Sequence, residues 1–251
     1  MPKTSRPRPA RVSVVIPALN EADNLPHVLP CLPDGIHEFI LVDGNSSDST
    51  IEVARQLRPD VKIAHETRGK GAAMLTGFET ATGDYVVALD ADGSMDPAEI
   101  ERFVGALDAG ADFAKGSRYL PGAGSDDISL LRSLGNAVLL RAVRWLFGGH
   151  FTDLCYGYVA FRKDALPKLG LDCTGFEIET LMNIRALKAG ITVTEVPSYE
   201  KRRIIGESRL NAFRDGLRIL RTIVRERLHG RMPVPAAPAQ EARAADLRLT
   251  P

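Results

Sequence analysis

The stretch Y-V-V-A-L-D-A-D-G-S-M-D-P, residues 85–97, decides how the rest of the chain is read. Its β-branched run, Val86 to Leu89, has the composition of a buried strand and stops at Asp90, Asp92, Gly93 and Asp96. In an open α/β sheet ligands bind at the carboxyl ends of strands, so a strand finishing in aspartates at i and i+2 offers carboxylates to a crevice. Two carboxylates this close repel unless a cation lies between or beside them. Mg²⁺ or Mn²⁺ suits such hard oxygen donors and keeps coordination places for phosphate oxygens. By itself the stretch favours a plain turn, begun by Asp90, permitted by Gly93 and leading through Asp96-Pro97 into a helix. The surrounding sequence shifts that balance.

Working outward, short apolar runs recur before and after it. Val12 to Ile16, stopped by Pro17, reads as a first strand, Phe39 to Val42 as a second, Val61 to Ala64 as a third and Asp112 to Lys115 as a fifth. Between them the spacing predicts helices over 22–32, 49–57, from Gly71 through Ala81, and over 98–109, with Asp48 placed to cap the second. Such alternation argues for a mostly parallel sheet with helices on both faces, whose loops line one rim. The second half predicts a helix from Leu130 to Phe147, a strand from Phe151 to Arg162, a helix to Ala189 and a last strand over 191–196. Leu210, Phe213, Leu217, Leu220, Ile223, Val224 and Leu228 then recur at helical spacing among arginines.

Composition narrows the function class. The 251 residues are 44% hydrophobic and 25% charged with zero formal net charge, ordinary for a globular protein and no invitation to nucleic acid. Residues 1–11 carry basic residues and prolines with no apolar stretch behind them, and 230–251 lacks a periodic apolar pattern, so both are expected to be disordered tails around one domain at 12–229. No run is long and apolar enough to span a bilayer. Cys31, Cys155 and Cys173 fit neither a disulfide framework nor a zinc site, and a cytoplasmic protein is expected.

The motifs I-P-A-L-N-E, V-D-G-N-S-S-D-S-T, R-G-K-G-A-A and L-D-A-D-G, in this order after successive strands, resemble family 2 glycosyltransferases. Within that family the chain is most similar to the dolichyl-phosphate mannose synthase group, from about Val12 to about Leu210. The resemblance implies the GT-A fold, an α/β nucleotide-diphospho-sugar transferase, with Mg²⁺ or Mn²⁺ as cofactor. Matched residue by residue, it implies that Pro17, Ala18, Asn20 and Glu21 border the nucleotide and that Asp43 hydrogen-bonds the base. Lys70 would approach base or phosphates; Asp90, Ala91 and Asp92 would meet the ribose and diphosphate. On this resemblance Asp92 would be the firmer metal ligand, with Asp90 beside it and Ser94 where some members place a further one.

The same resemblance assigns Arg118 and Arg132 to the phosphate of a polyprenyl phosphate, with Ser133 and Asn136 adding polar contacts. Arg203 matches a loop arginine that reaches the diphosphate, with Arg202 as the alternative and Gly206 as the pivot. Asp153 takes the acidic position near the acceptor. The expected reaction is inverting transfer of a hexose, mannose from GDP-mannose before a UDP-hexose, to a polyprenyl phosphate. A phosphate oxygen is already anionic and needs no general base, so Asp153 would orient; with a hydroxyl acceptor, the alternative, it would act as base. A nucleotide-sugar-binding scaffold without turnover is the reading from another class, and the retained Asp90, Asp92, Arg118, Arg132 and Arg203 speak against it. A lipid acceptor also predicts peripheral contact with the cytoplasmic membrane face through the two long helices, unless their apolar stripes are packed core.

Overall fold

The computed structural model describes residues 8–207 and 210–230; apart from 8–11 and Gly230, the expected tails lie outside the described residues. In chain order the elements are β1 (Val12–Ala18), α1 (Leu25–Val28), β2 (Glu38–Asp43), α2 (Thr50–Leu57), β3 (Lys62–His65), α3 (Lys70–Thr80), β4 (Tyr85–Ala88) and α4 (Ile100–Asp108). They continue with β5 (Phe113–Ser117), β6 (Gly124–Ser125), α5 (Leu130–Phe147), β7 (Val159–Arg162), α6 (Leu166–Leu169), α7 (Ile178–Ala189), β8 (Val193–Pro197), β9 (Tyr199–Glu200) and α8 (Ala212–Leu228).

Seven strands form one sheet in the order β3-β2-β1-β4-β7-β5-β8. All neighbours are parallel except β7, which runs antiparallel to both β4 and β5. β1, β2 and β4 are covered on both sides, which is why they read as nearly unbroken apolar runs. The two-residue period divides them between faces. Val14, Ile16, Leu41 and Val87 pack with Leu25, Ala54 and Phe103 from α1, α2 and α4. Val15, Ile40, Val42 and Val86 pack with Met74, Phe78, Leu181 and Met182 from α3 and α7. This is the mostly parallel, helix-flanked sheet of a GT-A-like fold.

Two predicted elements differ. The helix expected over 22–32 divides into α1 and a 3-10 turn at Leu29–Cys31. Pro26 and Pro30, which have no N–H to donate, sit in the first turn of each piece and prevent one continuous ladder. The strand expected over 151–162 shortens to β7. Upstream of it the backbone is held by side chains instead: Leu154 N–H donates to Asn136 Oδ1 at 3.0 Å, Thr152 N–H to Glu195 at 3.0 Å, and Cys155 N–H to Asp153 Oδ1 at 3.2 Å.

Candidate active site

The carboxyl ends of β1, β2, β3, β4 and β5 share one rim, and the loops leaving them wall a cavity of about 620 Å³. β1 contributes Pro17, Ala18 and Glu21, and the exit of β4 contributes Asp90, Ala91, Asp92 and Ser94. Lys70, the first residue of α3, projects between them. Its helix can start there because Gly69 holds φ 125°, with the Thr174 carbonyl oxygen where a Cβ would meet it at 2.5 Å. The Lys70 ammonium lies 2.9 Å from Asp90 Oδ1 and 3.2 Å from Glu179 Oε1, with the Phe176 ring 5.6 Å away. Burial disfavours its charge, yet the two carboxylates outweigh that and hold its pKa above the ordinary lysine value. Burial pushes the Glu179 carboxyl up, and Lys70 opposes only part of the shift.

Asp92 meets a second cation. Arg203, on the loop after β9, places Nη1 3.2 Å from Asp92 Oδ2 and pairs through Nη2 with Glu21. The loop lies along the β4 exit, with Lys201 N–H donating to Ser94 O at 2.8 Å and Ile204 N–H to Asp92 O at 3.2 Å. Arg202 lines the cavity too, its Nε donating to Asp126 O at 3.2 Å. Arg132 lines the cavity as well, paired with the neighbouring Asp127 at 3.0 Å.

Four expected site residues occupy other positions. Arg118 and Asp153 are 5% and 0% exposed, buried beside the cavity and spent on each other: Nε to Oδ2 is 2.6 Å and Nη2 to Oδ1 is 3.0 Å. Arg118 Nη1 also meets Glu200 at 3.0 Å, so this guanidinium does not present a free fork to an anion. Burial raises the Asp153 carboxyl, and Arg118 with Lys115 nearby reverses the shift and keeps it below the usual range, an ionised acid with no open face for a proton. Asp43 is 2% exposed and accepts from Asn45 N–H at 3.0 Å and Ser46 N–H at 3.1 Å; Gly44, not Asp43, reaches the cavity. Asn20, at φ 57°, accepts from Ser47 N–H at 2.7 Å and fastens one rim loop to the next. Of the accessory pair, Ser133 bonds Tyr119 Oη at 2.9 Å and Asn136 is buried on Leu154 N–H.

Sequence reasoning missed Glu179, Phe176 and Glu200, all at the cavity. Glu179 left one trace: an acid in α7, a helix otherwise buried from Ile178 to Ala186, and such a carboxylate persists only with a partner.

Among the described residues no group of three or more His, Cys, Asp or Glu is arranged to hold a metal ion by itself. Asp90 and Asp92 nevertheless fit a divalent cation: their side chains are 27% and 18% exposed toward the cavity, and each already attracts a cationic side chain. With Ser94 adjacent they supply two or three oxygen donors, leaving the other places to diphosphate oxygens and water, the usual way Mg²⁺ is held.

The glycosyl transferase family 2 model matches residues 13–170. Polyprenol monophosphomannose synthase of Mycolicibacterium smegmatis is 35% identical over 224 residues, 84% of each chain. Undecaprenyl-phosphate mannosyltransferase of Micrococcus luteus is 32% identical, over 80% of this chain and 88% of that one. Among solved structures, glucosyl-3-phosphoglycerate synthase from Mycobacterium tuberculosis in complex with Mn²⁺, uridine diphosphate and glucosyl-3-phosphoglycerate superposes with a TM-score of 0.68 at 22% identity, covering 86% of this chain and 80% of that one. With the strand-end motifs in place around one cavity, and with more than half its length matched by the family model, the chain belongs to glycosyl transferase family 2 and is a glycosyltransferase.

Proposed function

We propose that this glycosyltransferase moves mannose from a nucleotide-diphosphate sugar, GDP-mannose in the first instance, to a polyprenyl phosphate with inversion at the anomeric carbon. The relatives named above support the sugar and the class of acceptor. The observation that carries the reading is an apolar surface beside an arginine-lined mouth. Leu130, Leu134, Val138 and Trp145 on α5 are 61–87% exposed, and Phe213, Leu217, Leu220, Val224 and Leu228 on α8 are 44–80% exposed. The two helices pack on one another through Val143, Ile219 and Ile223, which turns both stripes outward. Arg132 of α5 and Arg214 of α8 line the cavity next to them. A prenyl chain has an apolar place to lie with its phosphate directed at guanidinium groups. No described helix is long and apolar enough to cross a membrane, so we read the lipid contact as peripheral, at the cytoplasmic face.

In this reading Asp90, Asp92 and Ser94 would hold a divalent cation. When bound, that ion neutralises charge accumulating on the leaving nucleoside diphosphate. Arg203 adds a second positive charge to the same leaving group, Lys70 keeps Asp90 aligned, and Arg132 orients the acceptor phosphate. A phosphate oxygen attacks C1 directly, which fits an Asp153 that is ionised, buried and engaged with Arg118. The hydroxyl-acceptor alternative needs that same carboxylate free to take a proton, and it therefore has less support.

The test is incubation of purified protein with Mn²⁺ or Mg²⁺, labelled GDP- and UDP-sugars, and a short polyprenyl phosphate. Lipid-linked mannose of inverted configuration is the expected product, abolished by Asp92→Ala. Retained configuration, transfer only to hydroxyl acceptors, or full activity of Asp92→Ala in chelator would overturn the proposal.

A further inference from the structure

Asn24 occupies the N-cap position of α1, yet its side chain makes no capping hydrogen bond. Asparagine is among the favoured residues at such a position because its side-chain oxygen can satisfy a free N–H of the first turn. Here the amide is 2% exposed and turned the other way. Its Oδ1 accepts from the Ile205 N–H at 3.0 Å and its Nδ2 donates to the Ile205 carbonyl at 3.1 Å, a two-point clamp on one residue of the basic loop. Nδ2 also donates to Glu21 Oε2 at 2.6 Å. Arg203 closes the circuit, donating from Nε to the same Ile205 carbonyl at 2.8 Å and pairing through Nη2 with Glu21. The guanidinium that reaches Asp92 is thus held from behind by a ring of Asn24, Ile205, Arg203 and Glu21. The loop's fit depends on one more contact, since Ile204 lies where a Cβ on Gly93 would come within 2.4 Å of its Cδ1.

We infer that Asn24 is a positioning residue of glycosyl transfer, a latch that docks the 201–206 loop on the β1 exit and so fixes Arg203 at the Asp92 end of the cavity; the catalytic part of this inference rests on the proposed function, while the latch itself stands on the contacts above. An amide is suited to the task because it places a donor and an acceptor side by side, one for each side of one residue's backbone. Serine at this position keeps the ability to cap α1 but cannot span both groups, so Asn24→Ser isolates the clamp from the stability of the helix.

The experiment pairs limited trypsin digestion of the unliganded protein with steady-state transfer kinetics. Lys201 and Arg202 are exposed, so undocking of the loop is read as cleavage after 201–203, identified by mass. Asn24→Ser is expected to speed that cleavage and lower kcat/KM for donor, each about tenfold, as for loss of one or two buried hydrogen bonds. Because Asn24 acts through Arg203, adding Asn24→Ser to Arg203→Ala should leave kcat/KM within about twofold of the single Arg203→Ala variant. Unchanged cleavage, unchanged kcat/KM, or losses that multiply in the double variant overturn the inference. Faster cleavage with no turnover of any donor and acceptor overturns the transferase reading instead and leaves the latch standing.

Discussion

Replacing Asp153 by asparagine separates a carboxylate that positions from one that takes a proton. The carboxylate is fully buried, and it receives Arg118 Nε at 2.6 Å, Arg118 Nη2 at 3.0 Å and the Cys155 N–H at 3.2 Å. Removing its charge leaves the Arg118 guanidinium and the Lys115 ammonium in the interior with two remaining counter-charges, Glu200 at 3.0 Å and Glu195 at 3.6 Å. The asparagine NH₂ also opposes one of the guanidinium N–H groups, donor against donor. Breaking a buried pair costs about 3 to 5 kcal/mol, and the surviving Glu200 contact sets the expectation at the lower end, about 3 kcal/mol. With a urea slope of roughly 2.5 kcal/mol/M, the unfolding midpoint falls by about 1.2 M. Assayed well below its melting temperature, the variant should keep kcat for a polyprenyl phosphate within about tenfold, because a positioned general base is worth about 10²–10⁴ and none is in use. A loss of kcat beyond about 10²-fold with the urea midpoint unmoved would refute the reasoning and make Asp153 a base.

Three further outcomes test other parts of the molecule. Gly77→Ala places a methyl group 2.2 Å from Val15 Cγ1 where α3 lies on the sheet; overpacking of about 1–3 kcal/mol should exceed the gain in helix propensity of about 1 kcal/mol, and a raised melting temperature would contradict this. Burial raises the pKa of Glu38, but hydrogen bonds from Lys62, Ser13 and Thr82 outweigh it and bring the pKa from 4.5 down to about 2. That contribution to stability is therefore complete above about pH 4.5 and lost as the pH falls toward about 2; Glu38→Gln should flatten this part of the stability profile measured by urea titration. Exchanging Phe213 and Leu228 for glutamate should leave unfolding nearly unchanged, since they are 80% and 78% exposed, while reducing sedimentation with anionic vesicles by about tenfold or more. Unaltered vesicle binding would remove the lipid surface from the proposal.

The Asp153 experiment depends on contacts that sequence could not supply. The family resemblance singled out Arg118 and Asp153 separately, but their bidentate pairing spans 35 positions and depends on how β5 and the loop before β7 meet. Likewise Asn24 fell unmarked within the helix expected over 22–32, while its partner lies 181 residues away. The helical period identified α8 and its apolar stripe without saying which way it turns. Tertiary contacts decided that: Glu226 is buried between Arg185 at 2.8 Å and Lys188 at 2.9 Å, and Ile219 and Ile223 fill the seam, so the stripe of Phe213, Leu217, Leu220 and Val224 faces out.

By itself the sequence determined the strand runs, their alternation with helices and the delivery of Asp90 and Asp92 to the rim. Those features follow from local composition, where two-residue and 3.6-residue periods and the conformational limits of proline and glycine act over a few positions. Only the folded chain decided which charges neutralise one another, which carboxylate stays ionised and closed off, and which helix face meets solvent. Each of those outcomes is set by groups distant in sequence and brought within a few ångströms, where burial makes the identity of the partner the controlling energy.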